Sequence, residues 1–374
     1  MIKRALEDKI KKRIGGGKAI VIIGPRQVGK TTLIKAILGN DQFLFLDCDD
    51  PTVRNLLANS GTEQLKSLIG SNKYIFIDEA QRIQNIGLTL KIIIDQIKPT
   101  QLFVSGSSAF ELANELREPL TGRKWEYELY PISWSELEEH MGFLKSEQQL
   151  NLRLIYGMYP DVINNVGDET GILKELVNSY LYRDLLAFGG IKKPEVLERL
   201  LRALAFQIGN EFSYNELSNL LGIDKNTVSS YMDVLEKGFV IYRLPSFSKN
   251  LRNEIKMNRK VYFYDNGIRN MIIGDFRNAE ARNDMGALWE NFIITERIKN
   301  NQYYNPSAKS YFWRTKQQQE VDYVEEFSGQ ISGYEIKWNP NAKFSPIKNF
   351  METYNATIQK VSRDNFRDFL KSDL

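Results

Sequence analysis

The chain has 374 residues, 42% of them hydrophobic and 11% aromatic, which suits packed cores and is long enough for two or three domains. Fifty Lys and Arg against 47 Asp and Glu leave a net charge of only +3, so any nucleic-acid surface must be a local patch. One cysteine and one histidine exclude a disulfide framework and a histidine–cysteine zinc centre, and no uncharged apolar run approaches the ~18 residues of a membrane span.

The opening "MIKRALEDKIKKRI" is charged, helical in pattern and lacks an apolar signal core, which with the composition predicts a cytoplasmic protein. Next, "KAIVIIGPRQVGKTTLIKAIL" reads as a buried strand, a glycine-containing loop and a helix. Gly24, Gly29, Lys30 and Thr31 satisfy G-x-x-x-x-G-K-[ST], and Thr32 follows in the same turn. The glycines let backbone N–H groups turn inward around phosphate oxygens, and the helix points its positive end at the same anion. Lys30 is expected on the β- and γ-phosphates and Thr31 on Mg²⁺. Cys48, in "FLFLDCDD", reads as a small core residue. A second buried strand, "NKYIFIDEAQRI", ends in Asp78 and Glu79. An acid at the carboxyl end of a neighbouring parallel strand is placed to hold Mg²⁺, and the next acid to polarise the attacking water. A third strand, "QLFVSGSSAF", ends in serines, of which Ser105 or Ser107 is expected on the γ-phosphate or the lytic water; a plain turn is the alternative.

The P-loop, "IFIDEAQ", "VSGSS" and "LTGRKWEYELYPISWSEL" together resemble prokaryotic AAA-type ATPases whose P-loop domain is fused to a C-terminal restriction-endonuclease-like domain. The likeness is strong through residue 137 and looser beyond. It implies ATP rather than GTP, a choice that rests on the resemblance alone because no base-reading residue is visible near the loop. It also implies that Arg123 senses the γ-phosphate, although a surface position fits that residue equally well on sequence grounds. Such an arginine comes from the same chain or from a neighbour, and the second case implies a homo-oligomer.

Residues 1–137 are thus expected to form an α/β P-loop ATPase core with a parallel sheet. Residues 138–194 read as a helical lid or linker, with "LKELVNSYLYRDLLAF" carrying apolar residues at helical spacing and Tyr180 and Tyr182 as packing residues. Residues 195–265 read as a winged helix. Ser213 and Asp224 stand as helix caps, Gly222 turns the chain, and a strand follows Gly238. The second helix would present Lys225, Asn226 and Thr227 to DNA. The following hairpin, residues 243–260, holds six basic residues and one acid, and Lys249, Arg252, Lys256, Arg259 and Lys260 are expected on the phosphate backbone. Protein interaction is the competing use of such a module.

In residues 266–374, "EVDYVEEF", "SGQ" and "ISGYEIKW" read as strand, turn and strand. A two-residue turn at Ser328-Gly329 makes facing residue numbers sum to 657, which sets Asp322 opposite Glu335 and Glu320 opposite Lys337 on one face. The resemblance makes this a nuclease-like α/β domain. Asp322 and Glu335 would ligate Mg²⁺, Lys337 would activate water, and Glu290, on the helix "GALWENFIITERIKN", would add a carboxylate. The alternative is a solvated charge ladder with a Glu320–Lys337 ion pair, and Val321 stands where such sites usually carry proline. The reading that follows is an ATP- and Mg²⁺-dependent ATPase acting on DNA, with no membrane partner. An ATP-gated nuclease and a signalling switch with an inactive nuclease-like domain are the alternatives.

Overall fold

The computed structural model describes residues 1–58, 60–107, 119–178, 191, 193–248 and 259–371. The chain divides into two units, Met1–Ile132 with Lys237–Phe239, and Ser133–Glu236 with Val240–Leu374.

In the first unit five short strands of β-branched and aromatic residues form one parallel sheet: β1 (Ala19–Ile23), β2 (Phe43–Asp47), β3 (Tyr74–Asp78), β4 (Gln101–Gly106) and β5 (Lys124–Glu128). Their order is β2-β3-β4-β1-β5. Every residue of β1 is buried, as expected for a strand covered on both faces. Because the strands are parallel, the residues after β1, β3 and β4 all emerge at one edge of the sheet, where ligands bind in such folds. One correction follows. The Asp78 strand is not a neighbour of the P-loop strand, because β4 pairs with both and lies between them. The first turn of helix Lys30–Leu38 therefore faces Asp78 across the end of β4, and the helix buries Leu33, Ile34, Ile37 and Leu38 beneath it. Cys48 is buried as read, and burial together with Asp47, Asp78 and Glu79 pushes its thiol up to about 12.

The second unit begins with helix Trp134–Met141, closed by a capping box in which Ser133 and Glu136 exchange hydrogen bonds. Helices Tyr214–Leu221 and Lys225–Lys237 meet at Gly222, which adopts φ 68°. Asp224 caps the second of them through the N–H groups of Asn226 and Thr227, at 2.9 and 3.0 Å. Strands β6 (Glu211–Phe212), β7 (Ile241–Pro245) and β8 (Arg259–Phe263) form an antiparallel sheet in the order β6-β8-β7. Helix Met285–Tyr304 is buried along most of its length, its polar Asn291, Glu296, Arg297, Lys299 and Asn301 included. A mixed sheet follows in the order β12-β11-β10-β9, from β9 (Lys309–Arg314), β10 (Glu320–Phe327), β11 (Gln330–Ile336) and β12 (Thr357–Val361). Strands β10 and β11 pair Tyr323 with Tyr334 and Phe327 with Gln330, the register set by the turn. Ser328 and Gly329 both have positive φ, 49° and 81°, the signature of a type I′ hairpin. Strand β12 returns parallel to β11 over a core of Trp313, Val321, Val324, Phe350 and Ile358. The two sheets of this unit touch where Ser246 bridges Phe312 and the Phe247 N–H donates to the Phe312 carbonyl at 2.6 Å.

Candidate nucleotide site and a carboxylate–lysine cluster

The loop between β1 and its helix is shaped by two glycines. A Cβ on Gly24 would lie 2.1 Å from the carbonyl oxygen of Leu129, the residue that follows β5. Gly29 adopts φ 91° at the helix N-cap, where any other residue would be strained. Lys30 is buried, and its ammonium donates to the Gly24 and Pro25 carbonyls at 2.9 and 2.8 Å. Burial lowers it to about 8, against the opposing pull of Glu79 and Asp78 and with the help of Arg26. Thr32 is exposed on the first turn of the helix.

Asp78 is the hub. Thr31 donates its hydroxyl to Asp78 Oδ2 at 2.6 Å, Ser105 donates to Oδ1, and the Glu79 N–H reaches Oδ1 at 3.1 Å. Glu79 takes a left-handed conformation, φ 51°, uncommon for a residue with a side chain and costly enough to point to a functional constraint. Its carboxylate accepts from Gln81 Nε2 at 2.5 Å and from Ser107 at 3.2 Å, and Gln81 also donates to Ser107 at 2.8 Å. Ser105 is a correction. It is fully buried with its hydroxyl on Asp78, so it orients the acid rather than facing a phosphate or water. The sequence reading missed Gln81, which "DEAQ" displays, and Arg4. Arg4 is buried and donates to the Val28 and Tyr130 carbonyls at 2.7 and 2.6 Å, bracing the loop. Nothing local marks it, because its partners are 24 and 126 residues away.

Arg123 stands at the opposite edge of the sheet. Its carbonyl accepts from the Ala19 N–H where β1 begins, whereas the P-loop follows Ile23 where β1 ends, a strand length of roughly 16 Å. Its guanidinium is 40% exposed, pairs with Asp95 at 2.8 Å, and lines a cleft of about 590 Å³ with Lys18, Asp95, Lys98 and Gln101. Sensing its own chain's γ-phosphate is therefore corrected: the sheet separates the two.

In the second unit the expected residues Glu290, Asp322, Glu335 and Lys337 do meet, with partners the sequence did not suggest. Lys337 lies 3.3 Å from Asp322 and 2.9 Å from Glu335, and Asp322 also accepts the Ile336 N–H at 2.8 Å. The Glu320–Lys337 ion pair of the alternative reading gives way to Glu320 on Lys260 at 2.5 Å and Arg314 at 3.3 Å. Lys260 also reaches Glu290 at 3.2 Å, and the Tyr262 hydroxyl donates to Glu290 at 2.7 Å. Lys260 is thus a further correction. It is 2% exposed and turned into the cluster, away from any polyanion. Burial and Asp322 raise the Glu290 carboxyl against the opposing pull of Lys260. Burial and Asp322 raise Glu335 as well, against Lys337. Burial alone would lower both lysines, but their carboxylates outweigh it and hold both above the usual range. Among the described residues no group of three or more acids, histidines or cysteines could hold a metal ion, and the lysines occupy the places beside the acids where the expected Mg²⁺ would sit.

Of the expected DNA-contacting residues, Lys225 and Asn226 are exposed at the start of their helix, and Thr227 is half-buried and bonded to Asp224. Arg259 is half-buried; Lys249, Arg252 and Lys256 lie outside the described residues, as do Tyr180 and Tyr182. Among described residues no helix is long and apolar enough to cross a membrane.

A glycine loop between a parallel strand and a helix, with an acid pair on a strand one place removed, is the arrangement of a P-loop nucleotide-binding core. Residues 16–138 accordingly match the AAA domain family model; residues 147–279 and 285–366 match two domains of unknown function, DUF8612 and DUF4143. An uncharacterized protein of Mycobacterium tuberculosis is 28% identical over 339 residues, covering 90% of this chain and 74% of its own. One of Methanocaldococcus jannaschii is 24% identical over 330 residues, covering 82% and 72%. The Walker-type ATPase of Pyrococcus abyssi superposes with a TM-score of 0.48 at 15% identity, over 73% of this chain and 96% of that one.

Proposed function

We propose that the protein hydrolyses ATP with Mg²⁺ at the P-loop and that DNA bound by the second unit governs the turnover. The observation that carries the ATPase reading is the pair of separately held acids: Asp78 fixed by Thr31 and Ser105, Glu79 fixed by Gln81 and Ser107. Two neighbouring carboxylates with different partners suit two roles, metal ligand and general base. Thr31 and Asp78 offer the hard oxygen donors that Mg²⁺ prefers, and the ion would supply charge neutralisation at the phosphates. Gly24, Gly29 and Thr32 line the phosphate cradle, and Lys30 exchanges its loop carbonyls for phosphate oxygens. The exposed position of Arg123 suits a γ-phosphate sensor supplied to a neighbouring copy, which requires a homo-oligomer.

The exposed start of helix Lys225–Lys237, with short polar groups beside a hairpin rich in basic residues, supports the DNA reading, residues 195–265 acting as a winged helix. The test is phosphate release measured with and without single-stranded, duplex and branched DNA, with the same DNA inspected on gels. DNA should raise the rate several-fold, the apparent affinity for DNA should fall on the order of tenfold or more between 50 and 200 mM salt, and no strand should be cut. A rate indifferent to every DNA would leave the signalling-switch reading, which the lysine-filled acid cluster of the nuclease-like segment 266–374 favours over a nuclease.

Nucleotide affinity should also fall with alkaline pH. Lys30 is lowered to about 8 without nucleotide, and bound phosphate favours the charged form and raises it. Binding therefore takes up a proton above pH 8, and affinity should drop about tenfold per unit until the bound-state value is passed. Titrating a fluorescent ATP analogue between pH 7 and 10 measures this, and a flat profile would refute it.

A further inference from the structure

We infer that Lys260 is the resident cation of the C-terminal carboxylate cluster, so that this domain keeps its acids together without a divalent metal. The inference is independent of the ATPase reading. Lys260 does not belong to the sheet that carries Asp322 and Glu335. It reaches in from β8, where its backbone is paired on both sides, with Glu211 of β6 and Leu244 of β7. Its ammonium touches Glu320 and Glu290 at 2.5 and 3.2 Å and lies 5.5 Å from the centre of the Phe312 ring. Tyr262, two residues along and hence on the same face of β8, donates to Glu290. Arg314 adds a second cation on Glu320, and Lys337 answers Asp322 and Glu335.

Four carboxylates are thereby matched by three protein cations. A divalent ion shared with Glu290 or Glu320 would have to expel the Lys260 ammonium into surroundings where it would be buried without its acids, a far larger penalty than moving the partly exposed Lys337. The same contacts tie β8 to helix Met285–Tyr304 and β10, so the acids that would serve a nuclease serve here as anchors between the two sheets of the second unit.

Manganese chloride titrated calorimetrically into the full chain without nucleotide tests this, the intact P-loop being common to all variants. Wild type and Glu335→Gln should give the same isotherm. Lys260→Ala should gain one site of roughly millimolar affinity or tighter, lost again when Asp322→Asn is added. Manganese uptake by wild type that Glu335→Gln removes would overturn the inference, as would a folded Lys260→Ala that gains no site. Should Lys260→Ala not fold, Lys260→Gln replaces it, and the wild-type comparison stands by itself.

Discussion

Lys30→Ala is expected to lower ATP turnover by about 10³-fold or more, because one buried ammonium serves both to hold nucleotide and to draw charge off the γ-phosphate during transfer. The side chain is buried between two loop carbonyls and faces two acids, so its loss removes the ammonium from that spot. Glu79→Gln should behave differently. It keeps the shape and the hydrogen bonds to Gln81 and Ser107 within reach, so ATP should bind with nearly unchanged affinity while the rate falls about 10²–10⁴-fold. Single-turnover phosphate release combined with equilibrium binding of a fluorescent analogue separates the two. Normal hydrolysis by Lys30→Ala would end the assignment of the loop, and normal hydrolysis by Glu79→Gln would end that of the base. A mixture extends the test. If Arg123 acts across a subunit boundary, Arg123→Ala and Lys30→Ala chains, each inactive alone, should recover part of the activity when mixed, since some interfaces then carry both residues.

What could be read from the sequence depended on how far apart the interacting residues stand. The P-loop was legible because Gly24 to Thr31 act within a single turn of chain. The β10–β11 register was legible because two residues of positive φ fix it locally. Lys260 was misread because the residues that claim it, Glu290 and Glu320, lie 30 and 60 positions onward and become neighbours only when two sheets meet. A run of basic residues looks like a phosphate-binding patch until one member proves to point inward. The place of Arg123 was left open between its own site, a neighbour's and the surface for a related reason: β4 and β5 flank β1 in parallel, and only that order shows that the start of β5 and the end of β1 lie at opposite edges. Ser105 looked available for a phosphate because its strand ends at the right edge, but a serine beside a buried acid hydrogen-bonds to the acid.

Truncating either partner of the Arg297–Glu325 pair should destabilise the second unit by about 3–5 kcal/mol, a large share of the ~5–15 kcal/mol by which domains are stable. Both side chains are fully buried. The guanidinium meets the carboxylate in a fork, Nε at 3.0 Å and Nη2 at 2.7 Å, and Nη1 donates to the Phe369 carbonyl at 2.8 Å. Asn301 and the Tyr323 hydroxyl, the latter at 2.9 Å, also donate to Glu325. The pair is thus bonded to the long helix, β10 and the C-terminal helix Phe366–Lys371, and the three elements are held to one another by a polar knot inside an apolar core. Arg297→Ala would strand the carboxylate, and Glu325→Ala would strand the guanidinium. In either case the remaining charge has no route to water, which is why the loss should exceed that of an exposed ion pair several-fold. Arg297→Met with Glu325→Leu removes both charges together and should cost less than either single change. Urea unfolding followed by tryptophan fluorescence reports on the right part of the molecule, since Trp134, Trp289, Trp313 and Trp338 lie in the second unit and only Trp125 lies in the first. The shift should persist at 1 M salt, because screening acts weakly on a pair with no water around it. A midpoint unmoved by Arg297→Ala would mean that the fork contributes nothing net and that the apolar packing around it holds the helix to the sheet.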